Sequence, residues 1–461
     1  MSMSMFKKKA VFKRAAVASA VVAALSVTSA QAVNLAEDGL GEAFVIPYYT
    51  ANNNFNTYLH ITNTSGETTT AKIRFREGYN SREVRDFNIV LSPYDVWTGV
   101  VTKDETTGGG KLITYDTTCT VPAIIAATSP TNPGSTLFTP AEYDGSGDIK
   151  QDGGPDGFAR TLEGYVEIFS MGRDGTVTDT ANSFAALSDN AKHEDKAGGY
   201  RAPVDCLTVE AQFSAANIAN TKAEMDEPTN SLQVTAQVLN VMDGTGYGVN
   251  AVTFANFYNP TNTDGASAGD IIAAPGSLSP DFNDVSPAVS EIHDDVVGTQ
   301  TLSVWSGQPR ILAIDAVLMR NTLINRFRAA AGQADTDWVI TFPTKWAHVD
   351  QDADGSSDVA TVAGLDPFVE LYTQDETVNG GESKVQVGIN TYDREEDAYQ
   401  STNSCTDPFT HETFPISDPS LCPSPTIPTS PTNAYLKYEV NVVEFGDGIF
   451  GSSLADATLN S

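Results

Sequence analysis

Few residues in this chain have the type and spacing to do chemistry, and the sharpest group is acidic. Asp350, Asp352 and Asp354 alternate, Gly355 follows, then Ser356, Ser357 and Asp358, a D-x-D-x-D-G-x-x-D run. Oxygen ligands at alternate positions let a chain wrap one hard cation, and a glycine after the fifth position permits the sharp turn that wrapping needs. Asp350, Asp352 and Asp354 would supply carboxylates, Ser356 its backbone carbonyl, and Asp358 the ninth-position oxygen. Thr361 stands at the twelfth position, where a bidentate Glu closes the usual loop, so a relaxed Ca²⁺ loop fits better than an EF-hand. The bland alternative is a solvated acidic turn. A fainter echo, Asp144-Gly145-Ser146-Gly147-Asp148 continuing to Asp152 and Asp156, has Ile149 where the loop glycine belongs. Ca²⁺ is the one cofactor expected.

Other chemistry is thinly signalled. His60, His193, His293, His348 and His411 fall in no paired zinc spacing. His348 lies two residues before the acidic loop and His193 precedes Glu194 and Asp195, which makes each a minor candidate for ligand or base. The sequence contains no G-x-S-x-G elbow, P-loop or dinucleotide glycine pattern. Trp97, Trp305, Trp338 and Trp346 could line a sugar-binding surface, although such residues more often pack into cores.

Four cysteines, Cys119, Cys206, Cys405 and Cys422, suit two disulfides in an oxidising compartment. Local spacing favours Cys405–Cys422, which leaves Cys119–Cys206. The segment from 405 to 431 holds seven prolines and can be neither helix nor central strand. The cysteines form no C-x-x-C pair, which argues against metal binding by them.

The elements that must position these residues are mostly strands. Tyr58 to Thr62 and Lys72 to Arg76 alternate polar and apolar, with Ile73 and Phe75 on one face. Further strands are expected at 43–49, 84–91, 95–102, 162–170, 204–213, 231–240, 251–258, 311–319, 337–342, 367–373, 384–391 and 434–445. Short helices are expected at 183–193 and 322–331. The fold class expected is mainly β, as antiparallel β-sandwiches with long irregular loops and few short helices. Strands 57–63, 69–76, 83–91 and 95–102 read as a hairpin series and as part of an immunoglobulin-like first unit. Residues 33–220 are expected to form an N-terminal β-sandwich domain with a loop insertion at about 103–160. Residues 221–461 then form a second β-rich region that carries the proline-rich disulfide loop 405–431.

Four segments carry a resemblance. They are Gly41 to Thr50 (GEAFVIPYYT), Glu77 to Val84 (EGYNSREV), Leu91 to Trp97 (LSPYDVW) and Asp337 to Lys345 (DWVITFPTK). Together they resemble a family of exported proteobacterial cell-surface proteins with no assigned activity. The resemblance implies a surface location and transfers no functional residue.

The N-terminus agrees with export. Lys7, Lys8, Lys9, Lys13 and Arg14 precede an apolar run from Ala15 to about Val27, and Ala30-Gln31-Ala32 offers small residues at a cleavage site. Residues 1–32 are therefore expected to be a signal peptide. Its removal leaves 22 of the 27 basic residues against all 59 acidic ones, a net charge of −37. Such a surplus repels nucleic acid and anionic lipid and attracts cations. No later stretch reaches transmembrane length, so no transmembrane segment is expected in the mature chain. Three functions fit. The first is a non-enzymatic cell-surface or extracellular matrix or layer protein, Ca²⁺-stabilised, with self-association or other envelope components as partners. The second is an envelope carbohydrate- or ligand-binding protein with a tryptophan-lined groove. The third is a secreted hydrolase with a dispersed site of two carboxylates or a His–carboxylate pair. Cell surface or extracellular space is the expected location, with the periplasm as alternative.

Overall fold

The structure, a computed structural model, describes residues 32–124, 132–146, 152–174, 183–258, 274–277, 279–282, 289–294, 299–305, 308–309, 311–320, 322–327, 336–349, 368–370, 382–389, 404–406, 413–415, 432–445 and 448–455. The leader before Ala32, the acidic loop 350–358 and Cys422 lie outside these residues.

The first strands in chain order are β1 (Asn34–Leu35), β2 (Leu40–Gly41), β3 (Ala43–Thr50), β4 (Asn56–Asn63), β5 (Thr69–Glu77), β6 (Glu83–Leu91) and β7 (Val96–Lys103). They continue with β8 (Gly110–Thr114), β9 (Cys119–Val121), β10 (Gly134–Leu137), β11 (Glu163–Asp174), β12 (His193–Lys196), β13 (Tyr200–Pro203) and β14 (Met225–Asp226). The remainder are β15 (Leu232–Asn240), β16 (Thr245–Asn250), β17 (Val252–Ala255), β18 (Val289–Asp294), β19 (Thr299–Val304), β20 (Thr336–Thr341), β21 (Val385–Ile389), β22 (Ser404–Thr406), β23 (Thr413–Pro415), β24 (Thr432–Leu436) and β25 (Val440–Phe445). Five short α-helices accompany them among the described residues, α1 (Ser183–Ala191), α2 (Cys206–Gln212), α3 (Ile218–Glu224), α4 (Ile311–Leu318) and α5 (Trp346–Val349), with one 3-10 helix at Phe158–Leu162. The fold is mainly β and antiparallel throughout its sheets.

Two large sheets face each other in a sandwich-like arrangement. One runs β1-β17-β3-β11-β5-β6-β9, with β14 beside β11. The other runs β10-β8-β7-β4-β15-β16, with β2 beside β15. Strands from both sides of residue 220 enter each sheet, β15 and β16 in one and β17 in the other. Between the sheets lie Phe44, Tyr49, Ile73, Phe75, Phe87, Ile89 and Ile168 from one and Leu59, Ile61, Trp97, Val101 and Val234 from the other, all buried. Each such side chain contributes about 1.5–3 kcal/mol by leaving water.

The two sheets differ in how they read. Along β4 and β15 burial alternates, as a half-solvated strand requires. Along β5 every residue is buried, and along β11 ten of twelve are. A third layer covers that sheet's outer face. It includes Leu187 of α1, Val209 of α2, Ile311 and Ile314 of α4, Phe257 and Phe282, which pack on Phe254 of β17, and Val440 and Val442 of β25. The polar residues that alternate with Ile73 and Phe75 are therefore interior.

Several expectations are corrected. Residues 204–213 and 311–319, expected as strands, contain helices. At the first, Asp205 accepts hydrogen bonds from the amides of Leu207 and Thr208 and starts α2. The second, Ile-Leu-Ala-Ile-Asp-Ala-Val-Leu, is an apolar run whose period does not separate buried strand from buried helix. Residues 322–327 are not helical. Among its described residues the insertion at 103–160 holds three short strands, β8 and β10 at one end of the second sheet and β9 at the end of the first. Of the four strands expected as a hairpin series, only β5 and β6 form a hairpin. The chain crosses from one sheet to the other between β4 and β5 and again between β6 and β7.

Asn63 ties those two crossings together. Its Nδ2 donates to the carbonyls of Glu67 at 2.7 Å and Ser92 at 3.0 Å, and its Oδ1 accepts from the Ser65 amide at 3.0 Å. An amide side chain can satisfy several turn groups at once, so Asn63 works here through its side chain.

Candidate functional site

Among the described residues the most concentrated set of ionisable groups lies on the outer face of β5, β6 and β11. Alternation along β5 sends Ala71, Ile73 and Phe75 into the sandwich and Lys72, Arg74 and Arg76 to the opposite face. Register then sets Arg74 opposite Asp86 on β6 and opposite Glu167 on β11. Arg74 Nε meets Glu83 Oε2 at 2.7 Å, Arg76 Nε meets Glu167 Oε2 at 2.8 Å, and Lys72 Nζ meets Asp86 Oδ2 at 3.1 Å. Lys72 also donates to the carbonyls of Ser277 and Ser279, and the Gly276 amide donates to Asp86 at 2.7 Å. These bonds hold residues 276, 277 and 279 against the sheet.

The network continues into the β5–β6 turn. Glu77 accepts from the amides of Tyr79 (2.7 Å), Asn80 (3.0 Å) and Arg82 (2.8 Å), and from Arg160 Nε at 2.7 Å. Arg160 also pairs with both oxygens of Asp152, and its guanidinium lies 4.2 Å from the Tyr143 ring centroid and 5.1 Å from that of Tyr79. Asn80 donates to Asp152 at 3.1 Å. Ser81 occupies a left-handed backbone conformation (φ 62°). Arg76 bonds its carbonyl and Tyr165 its hydroxyl, which hold it there. One strand further along, Glu163 accepts from Tyr48, from Ser452, and from the amide and hydroxyl of Ser453, and thereby fastens residues 448–455 to the sheet.

Electrostatics follow from burial and pairing. Burial pushes Asp152 up, but the hydrogen bonds and charge of Arg160 outweigh it and hold the carboxyl below its usual range. Burial, with Glu83 beside it, lifts Glu142 to about 8. Burial and the adjacent Arg74 lower Lys72 to about 8. Buried Lys345 is likewise lowered to about 8, and its Nζ donates to the carbonyls of Lys437 and Tyr438.

Two His–carboxylate pairs stand apart from this network. His348 on α5 meets Asp315 on α4 at 2.9 Å with both buried, and so joins two helices. His193 Nδ1 lies 3.5 Å from Asp95 and 3.4 Å from Ser92 Oγ, while Nε2 lies 3.3 Å from Thr117 Oγ1. A hydrolytic relay needs the hydroxyl and the carboxylate on opposite ring nitrogens. Ser92 shares Nδ1 with Asp95, and Thr117 donates to the Arg201 carbonyl at 3.2 Å.

The cysteine expectation divides. Cys119 on β9 is bonded to Cys206 at the start of α2, across 87 residues. The expected Cys405–Cys422 bridge lies outside the described residues with Cys422. So do Asp350, Asp352, Asp354, Ser356 and Asp358. Among the described residues no group of three metal-ligating side chains is gathered. The four tryptophans do not share a surface. Trp97 is fully buried in the sandwich, Trp305 donates to Ser290, Trp338 packs at a tilt against Phe445, and Trp346 lies beneath Arg76. Among the described residues no helix is long and apolar enough to cross a membrane.

Sequence reasoning missed the charge network. The signal that could have found it was the pair KIRFRE and EGYNSRE, in which Lys72, Arg74 and Arg76 alternate on one strand face and Glu77, Arg82 and Glu83 cluster at its turn. No protein-family profile, no curated protein and no solved structure matches the chain.

Proposed function

We propose that this chain is exported and acts without catalysis as a component of the cell surface or of an extracellular matrix or layer, with Ca²⁺ bound by residues 350–358 stiffening it. The observation that carries this reading is the use to which the buried charges are put. Glu77 and Glu163 accept mainly backbone and short-chain donors of two loops, Arg160 and Asp152 neutralise each other, and Lys72 and Lys345 donate to main-chain carbonyls. Groups arranged in this way fix chain segments in place. The acidic surplus outside them favours solubility and cation binding.

Fractionation of the source cells tests the reading. The protein is expected to sediment with the envelope or matrix and to be released by a calcium chelator. Recovery solely as a free periplasmic monomer, with chelator making no difference, would overturn it.

A secreted hydrolase is the second reading, favoured by one observation. Glu142, lifted to about 8, is a carboxyl kept protonated at neutral pH beside Glu83, whose amide it accepts at 2.7 Å. A carboxyl kept protonated at neutral pH by burial suits a general-acid role. Hydrolysis of glycosides by wild type and not by Glu142→Gln would establish that reading in place of the first.

A further inference from the structure

The two outer strands of the seven-stranded sheet share an unusual lack of charge. Residues 117–141, which contain β10, carry no charged side chain, and residues 228–263, which contain β15 and β16, carry one, Asp243. Asp243 is itself engaged, since its Oδ2 accepts from Asn240 Nδ2 at 2.7 Å within the β15–β16 turn. The rest of the chain is densely acidic. Globular proteins usually protect an open sheet edge with lysine, proline or a bulge. β16, Thr-Gly-Tyr-Gly-Val-Asn, has no lysine or proline and runs against β15 without a register shift. Among the described residues no strand pairs with the outer side of β16 or of β10. Apolar side chains cluster beside these edges, with Val241 69% and Met242 84% exposed at the turn before β16 and Leu137 44% exposed on β10.

We propose that this sheet extends from copy to copy, β16 of one molecule pairing with β10 of the next. Two observations point to a second copy of this chain as the occupant. First, two acidic molecules repel everywhere except where acidic charge is missing, and both edges are such places, with the Arg85 guanidinium bonded to Thr136 of β10 as the one charged group on them among the described residues. Second, the path β10-β8-β7-β4-β15-β16 has six strands, every neighbouring pair antiparallel. β10 and β16 therefore point in opposite directions. A copy displaced along the sheet brings its β10 beside β16 in antiparallel sense, so the alternation passes unbroken from molecule to molecule. Such a head-to-tail contact does not close on itself and builds a filament. This assembly deepens the matrix reading above and rests on it for its setting, while its geometry can be tested separately.

Sedimentation velocity of the purified protein, over a range of concentrations and at low and high NaCl, tests the proposal. Wild type is expected to form a ladder of species that grows with concentration and with salt, because salt screens the repulsion between copies. Gly248→Asp on β16 is sterically free, since a Cβ there meets nothing within 4 Å, and Ser135→Asp on β10 is exposed. Each variant alone is expected to sediment as a monomer with unchanged melting, and Gly248→Ala to assemble like wild type. An equal mixture of the two Asp variants is expected to form dimers and nothing larger, because one supplies an intact β16 and the other an intact β10. A wild type that stays monomeric throughout overturns the proposal, even where fractionation still places the protein at the surface. Undiminished assembly of Ser135→Asp overturns the head-to-tail mode.

Discussion

Glu77 and Arg160 meet at 2.7 Å with neither side chain exposed. A buried pair of this kind adds little net stability compared with an apolar pair of the same shape, yet breaking it strands a charge in the interior. Arg160 holds two carboxylates at once, so its removal is the severe case. Arg160→Met keeps the side-chain volume and is expected to cost about 3–5 kcal/mol. Urea denaturation followed by circular dichroism measures it. Adding Glu77→Gln and Asp152→Asn to Arg160→Met removes the stranded charges and is expected to recover part of the loss. A cost near zero for the single variant would show that the network does not hold the turn.

The pH dependence has a definite sign. Burial lifts Glu142 from 4.5 to about 8 and Glu42 to about 7, so the folded protein keeps protons that the unfolded chain releases. Stability from these groups is fullest below pH 4.5 and declines as pH rises to about 8. Burial lowers Lys72 and Lys345 from 10.5 to about 8, so between those values the unfolded chain binds protons that the folded one does not. Stability therefore recovers from pH 8 towards 10.5. Tm measured from pH 5 to 10.5 is expected to pass through a minimum near pH 8, and Glu142→Gln is expected to flatten the falling limb. A steady rise across pH 5 to 8 in wild type would contradict this assignment.

The Cys119–Cys206 bond closes a loop of 87 residues, which in the chain-entropy model stabilises the fold by about 4.5 kcal/mol. It anchors the start of α2, and through α2 the helices covering the outer face, to the end strand β9. Reduction, or Cys119→Ser with Cys206→Ser, is expected to lower Tm and to open residues 183–224 to protease before the sandwich itself unfolds. Limited proteolysis with mass spectrometry checks the order, and simultaneous cleavage across both sheets would show that the helical layer is not a separable unit.

Some of this architecture was legible in the residues and some was not, for physical reasons. The two-residue period of β4 and β15 announces strands because one face of each meets water. β5 and β11 are covered on both sides, so the polarity of Lys72, Arg74, Arg76 and Glu167 misleads until their partners on neighbouring strands are known. Those partners are set by register, which a single sequence does not display. Asp205 marks the start of α2 by its chemistry as a cap, but it sits before a stretch whose Val, Leu and Thr also suit a strand. The break between the strands expected at 57–63 and 69–76 was readable as a reversal. Whether the chain returns within one sheet or crosses to the other depends on the side chain of Asn63 reaching Ser92, twenty-nine residues away.

That same amide is a single-residue lever on the sandwich. Asn63→Ala removes donors to Glu67 and Ser92 and an acceptor for Ser65 at a fully buried position. Unpaired buried groups cost about 1–3 kcal/mol each, partly relieved where water enters. Asn63→Asp keeps the acceptor and loses the donors, so it is expected to destabilise at least as much, since it also buries a charge facing carbonyl oxygens. Urea midpoints for the two variants separate the roles. An Asp variant as stable as wild type would mean that the crossings are held by Pro93 and the sheets and not by this side chain.

Calcium gives the last test, because its ligands are expected within 350–358, directly after α5. Three carboxylates at alternate positions repel one another when no cation lies among them, and an oxygen-ligated divalent ion removes that repulsion. An ion that binds the folded state alone stabilises it by about 2.7 kcal/mol at 100 times its Kd, which is several degrees in Tm for a chain of this size. Melting in calcium is therefore expected to exceed melting in chelator by that amount, with magnesium much less effective because it loses its waters reluctantly. Asp352→Asn with Asp354→Asn is expected to abolish the difference and to leave the chelator curve unchanged or slightly raised. Equal shifts in wild type and in this double variant would place any bound calcium elsewhere on the acidic surface.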